Sequence, residues 1–174
     1  MAKVAYTKLG LKVNQEVSSF LYNENEIEVK HYLPMEDKVD FIEFVLNNAA
    51  VDMKFYNPAR VEAYFTVGIV LFYTNVNCTD KQKENIAKLY DTFVSTGFYN
   101  EVISRIDEEE MSTLLDMVEE TIHSVYNYNN SVMGILDTIA FDYSNLSLDA
   151  TEIQQKLADP QNMELLRAVL SKLG

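Results

Sequence analysis

Residues 111–139 read MSTLLDMVEETIHSVYNYNNSVMGILDTI, and this stretch decides the fold. Its apolar residues recur at alternating steps of four and three: Met111, Leu115, Val118, Ile122, Val125, Val132, Leu136 and Ile139. The polar Asn129 is the single interruption, and Tyr143 stands in line to continue the series. Written as heptads, Leu115, Ile122, Asn129 and Leu136 take position a, while Met111, Val118, Val125, Val132 and Ile139 take position d. Such spacing buries one side of a long helix against other helices.

Position a is mostly Leu or Ile and position d mostly β-branched, the reverse of what a parallel two-stranded coil favours. Leu114, Tyr128 and Ile135 at g, with Tyr126, Met133 and Ala140 at e, widen the apolar stripe. The helix therefore calls for several neighbours, drawn either from its own chain, as in a bundle, or from other subunits. If unbroken it runs to Asp142 and spans on the order of 50 Å. Its weak point is Tyr126-Asn127-Tyr128-Asn129-Asn130, where helix propensity is low and a kink or a break is one expectation. Two readings of Asn129 stand: a register-fixing polar residue within a seam, or an exposed residue at a break.

Working outward, Asp107 offers an N-cap, and Glu108, Glu109 and Glu110 load the start of the long helix. Acids at that end compensate the helix dipole, and this reading is preferred to a metal site. Towards the N-terminus, Ile27, Val29, His31 and Leu33 alternate with Glu26, Glu28, Lys30 and Tyr32, the period of a half-buried strand. With Phe20, Leu21 and Tyr22 before it and Asn23-Glu24-Asn25 as a turn, residues 17–33 read as a β-hairpin. A lone hairpin is marginal, so its apolar face must rest on helices or pair with another strand.

Pro34 ends that strand and opens a helix carrying Val39, Phe41, Ile42, Val45 and Leu46. Asn57-Pro58 is a second start signal, followed by the nearly all-apolar run Val61–Tyr73. At thirteen residues with Glu62 inside, that run is far short of the ~20 needed to cross a bilayer and reads as a helix buried on most sides. Gly68 within it permits close approach of a neighbouring helix. Thr79-Asp80-Lys81-Gln82 fits a capping box for a helix bearing Ile86, Leu89, Tyr90 and Phe93 and stopping at Gly97. A short helix around Val102–Ile106 follows. Beyond a connection at Tyr143–Leu148, a short helix starts at Asp149 and ends before Asp159-Pro160. A final amphipathic helix then carries Met163, Leu166, Val169, Leu170 and Leu173.

The fold class is mainly α: a helical bundle of about six or seven helices with one long heptad-patterned helix and an N-terminal β-hairpin. Residues 1–16 form an arm, and residues 17–174 a single helical domain. The 174 residues, 48% hydrophobic and 24% charged, suit a globular chain with a sizeable core. The formal charge of −13 is uneven, since residues 101–174 hold four Lys+Arg against fourteen Asp+Glu. That disfavours direct binding of nucleic acid or anionic lipid and favours a basic protein partner, or else serves solubility. The single cysteine, Cys78, allows no internal disulfide and fits a reducing cytoplasm; no secretory signal is visible after Met1.

Chemistry is sparse. His31 and His123 are the only histidines, and neither has a ligand-spaced partner. Cys78 precedes a helix start but lacks an identifiable histidine partner, so it reads as a small buried residue. No phosphate loop, hydrolase elbow or calcium loop occurs, and the chain reads as non-enzymatic with neither cofactor nor metal. The candidate interaction residues are the seam itself: Met111, Leu115, Val118, Ile122, Val125, Asn129, Val132, Leu136 and Ile139. Tyr126, Tyr128 and Asn130 form a candidate recognition patch.

The succession KHYLPMEDKVDFIEFVLNNA (residues 30–49), NPARVEAYF (57–65) and TDKQKENIAKLYD (79–91) resembles small acidic proteins encoded by tailed phages of Gram-positive bacteria. The resemblance covers roughly residues 17–125 and carries no catalytic signature. It implies a virion component or assembly factor of head, neck or tail, partnered by its own copies or by other virion or assembly proteins. The expected location is the cytoplasm of an infected bacterial host, with incorporation into the particle an open alternative. It transfers no functional residue. A second reading is a soluble inhibitor whose acidic C-terminal half blocks a basic nucleic-acid-binding site on a host protein.

Overall fold

The computed structural model describes residues 3–51 and 55–145, with the side chains of Ile139 and 142–145 outside that description. Residues 143–145, expected to open a connection, are helical; the rest of that connection, 146–148, and the two expected C-terminal helices lie outside the described residues. Among the described residues the chain is mainly helical: seven α-helices follow an N-terminal two-stranded antiparallel hairpin. It divides into two compact units, Met1–Asn127 and Tyr128–Gly174, where the sequence reads as one helical domain from residue 17. The division falls inside the low-propensity Tyr126–Asn130 stretch.

The described part of the arm is exposed throughout, with one 3-10 turn at Tyr6–Lys8. Strands β1 (Val17–Tyr22) and β2 (Asn25–Lys30) pair in a register that puts Phe20 opposite Ile27 and Ser18 opposite Val29. Asn23 and Glu24 both have positive φ, 46° and 66°, the signature of a type I′ two-residue turn whose twist matches the strands. Burial alternates through Ile27, Val29, His31 and Leu33 as expected, with Val29 and Leu33 fully buried, but strand pairing ends at Lys30 and not at Leu33, as the chain turns towards Pro34.

The hairpin rests on helices. The rings of Phe20 and Tyr22 sit 5.8 and 4.9 Å from that of Phe98, and the Arg105 guanidinium covers Phe20. Asn75 closes the outer edge of β2: its amide N–H donates to the Glu28 carbonyl, and its side chain accepts from the Glu28 N–H and donates to the Glu26 carbonyl. Strand addition is thereby confined to the β1 edge.

Helix α1 (Met35–Ala49) packs on α2 (Pro58–Tyr73), which also meets α4 (Ile86–Ser95) and α5 (Phe98–Ile103). Asn57 caps α2 as expected, accepting from the Ala59 and Arg60 amides, with Pro58 at the first helical position. Six consecutive residues, Phe65 to Val70, are buried, so α2 is the central helix of unit 1.

Two expectations are corrected. The Thr79/Gln82 capping box is present, but it starts a separate short helix, α3 (Asp80–Lys83); Asn85 then caps α4 by accepting from the Lys88 N–H. An asparagine that can turn the chain and cap a new helix overrides the propensity of its neighbours. The short helix after Gly97 is α5, four residues earlier than Val102, because Gly97 at φ 74° serves both as the left-handed end of α4 and as the entry to α5.

Gly68 behaves as its position suggests. A Cβ there would lie 2.8 Å from the Phe41 ring, which is itself held edge-on between Phe65 and Phe72. Gly68→Val therefore lowers unfolding stability by about 2–3 kcal/mol, the cost of overpacking a ring that has nowhere to move. Urea denaturation measures it; a loss below about 0.5 kcal/mol means the α1–α2 interface is looser than this.

Candidate functional site

Helix α6 (Glu108–Asn129) begins where the sequence places it, with the Asp107 carbonyl accepting from the Met111 N–H. Its three leading glutamates do not share one role. Glu110 is buried, 6% exposed, and its carboxylate is the hub of a polar cluster. One oxygen, Oε2, accepts from Lys38 Nζ at 2.7 Å; the other accepts from the Leu33 N–H at 3.0 Å and the Tyr73 hydroxyl at 2.9 Å. Lys38 is 4% exposed and lies 4.3 Å from the centre of the Tyr32 ring. Dipole compensation thus does not account for Glu110, whose charge is matched by a lysine of α1. Burial, followed by the hydrogen bond to Glu110 and that carboxylate's charge, holds the Tyr73 hydroxyl well above its ordinary pKa of 10.0.

Below this anchor the side of α6 facing the core is Glu110, Leu114 and Val118, each one turn from the next. That line runs obliquely to the heptad seam. Val118 is buried, Met111, Ile122, Val125 and Asn129 are half-buried, and Leu115 is 46% exposed. Residues four apart lie one above the other on a helix, so these three form one ridge against the core.

Part of the seam forms one wall of a groove of about 680 Å³. Met111, Leu115 and Ile122 supply the α6 wall; Pro58 and Val61 of α2, together with Tyr56, face them; Phe65 and Val118 lie at its base, with Tyr99 of α5 also lining it. Among the described residues its charged lining is Glu62, Glu108 and Glu119, with no cation. Burial first, and then the charge of Glu62, raises the Tyr99 hydroxyl above its usual pKa, so it remains a neutral donor beside the groove.

Helix α6 ends at Asn129, and α7 (Val132–Asn145) begins after Asn130 and Ser131, so the break stands where low propensity allows it. Ser131 Oγ donates to the Tyr128 carbonyl and accepts from the Gly134 N–H, and the Tyr128 hydroxyl donates to Asp137. A Cβ at Gly134 would come within 2.1 Å of the Tyr128 carbonyl oxygen, so only glycine fits. On α7, Val132 is 75% exposed and Leu136 is also exposed; the side chain of Ile139 lies outside the description. Tyr126, Tyr128 and Asn130 of the expected patch are all exposed. Of the seam, Met111, Leu115, Val118 and Ile122 line the groove, while Val132, Leu136 and Ile139 belong to α7.

His123 is exposed, and His31 Nδ1 lies 3.9 Å from Asp107. Cys78 is buried, which pushes its thiol pKa up despite nearby Lys83. No helix among the described residues is long and apolar enough to cross a membrane. No family model, curated protein or solved structure matches this chain.

Two outcomes test the anchor. Glu110→Gln leaves the buried Lys38 ammonium without its counter-charge and costs about 3–5 kcal/mol, while adding Lys38→Met to that variant recovers part of the loss. Equal stability of single and double variants in urea contradicts the pairing. In alkali, the unfolded chain releases the Tyr73 proton near pH 10 and the folded chain keeps it. Stability is then complete below about pH 10 and falls as pH rises above it. Tyr73→Phe reduces that slope by about one proton; an unchanged slope shows that Tyr73 titrates normally when folded.

Proposed function

We propose that this chain is a non-enzymatic protein–protein interaction protein that binds its partner along α6. The single observation carrying this reading is the apolar groove beside α6, where, among the described residues, Leu115 of the seam is exposed and Met111 and Ile122 are only partly covered. A mostly apolar concavity with a few polar groups at its edges is the default candidate for a binding site on a folded domain. The resemblance to small phage-encoded proteins refines the reading to a phage structural or assembly component of head, neck or tail. It would act in the cytoplasm of an infected bacterium or within the particle.

The inhibitor reading has its own support. Every charged side chain on α6 is acidic, and apart from Glu110 all are exposed. Such a surface suits a basic protein face.

A photo-crosslinking residue at position 115, in cells that also express candidate partners, tests docking at the groove. The expected result is one discrete adduct that vanishes when the same residue is placed at exposed position 116. Indistinguishable adduct patterns from both positions exclude docking at the groove. Coat, portal or tail proteins in the adduct favour assembly; a basic nuclease or defence protein favours inhibition.

A further inference from the structure

We propose that the α2–α6 groove seats an amphipathic helix of another protein, with Lys and Arg flanking an apolar face. This rests on the docking reading above and names the chemistry of the occupant. The groove wall on α6 extends from Glu108 to Ile122, about 21 Å at 1.5 Å per residue, enough for a helix of roughly fourteen residues. A helix laid in a groove reads it through apolar side chains at i, i+3 or i+4, and i+7. The floor of Phe65 and Val118 and the wall of Met111, Leu115 and Ile122 offer apolar surface at that repeat.

Charge decides among occupants. Glu62 stands on α2, while Glu108 and Glu119 stand near the two ends of the α6 wall, and among the described residues no cation lines the groove. An incoming helix with basic flanks meets a carboxylate from either helix. A nucleic acid or anionic lipid is repelled by the same groups. A second copy of this chain brings a formal charge of −13 to an acidic face. Complementarity of this kind acts chiefly on association rate and is screened by salt.

The test is a displayed library of helical peptides of about sixteen residues, selected on the full chain and counter-selected on Leu115→Glu. Leu115 is half-exposed, so that variant should fold, and circular dichroism verifies it. The expected winners carry an apolar i, i+3/i+4, i+7 face with flanking Lys or Arg. Each binds wild type at least about tenfold more tightly than Leu115→Glu, and at low salt tenfold more tightly than Glu62→Lys/Glu119→Lys. The proposal is overturned if no winner depends on Leu115, if winners carry no positive flanks, or if they bind as extended chains. It is equally overturned if light scattering shows self-association that Leu115→Glu abolishes, since a second copy then fills the groove. A discrete adduct at position 115 together with non-basic winners sinks this inference alone and leaves the docking reading standing.

Discussion

The carboxylate of Glu110 is the constraint on which the rest of unit 1 depends. It receives the Leu33 amide, three residues beyond β2, the Lys38 ammonium of α1 and the Tyr73 hydroxyl of α2. Three regions far apart in sequence, residues 33–38, Tyr73 and Glu110, meet at three hydrogen bonds. Desolvating two charges is expensive, and such a pair adds little net stability over a well-packed apolar substitute. What it supplies is geometry, because a misaligned α6 would leave a charge buried and unsatisfied.

That geometry sets which residues of α6 face the core. With Glu110 fixed, Leu114 and Val118 follow it inward at one-turn steps. Leu115, one residue beyond Leu114, is turned towards the groove. The same anchor therefore determines the inward face and the open one. Part of a regular seam becomes the apolar wall of the groove because the core takes a line oblique to it.

Much of the architecture was written in local signals. Asn57-Pro58, the Thr79/Gln82 box, Gly97 and the alternation around Val29 each act through nearest-neighbour chemistry, and each appears where the sequence places it. The role of Glu110 was not readable, because a glutamate in the first turn of a helix has a sufficient local explanation. Its partner Lys38 lies 72 residues earlier, and no spacing rule links them. The one available signal was Lys38 itself, which stands one turn before Ile42 and three residues before Phe41 on the core face of α1. Asn85 was missed for a related reason: an asparagine within an amphipathic run gives no hint whether it is tolerated or becomes a cap. The groove was half-visible, since the seam marked the wall but not which part would be left open.

Native-state hydrogen exchange of the full chain tests most directly whether Glu110 joins α6 to the core. The account predicts that amides from Leu114 to Val118 exchange only through global unfolding, with the same opening free energy as Val67–Val70 of α2. Amides near Asn127–Asn129, beyond the anchored segment, should open at much lower cost. If residues 114–118 exchange through a local opening as cheap as that of the helix end, α6 is not fixed by Glu110 and the account fails.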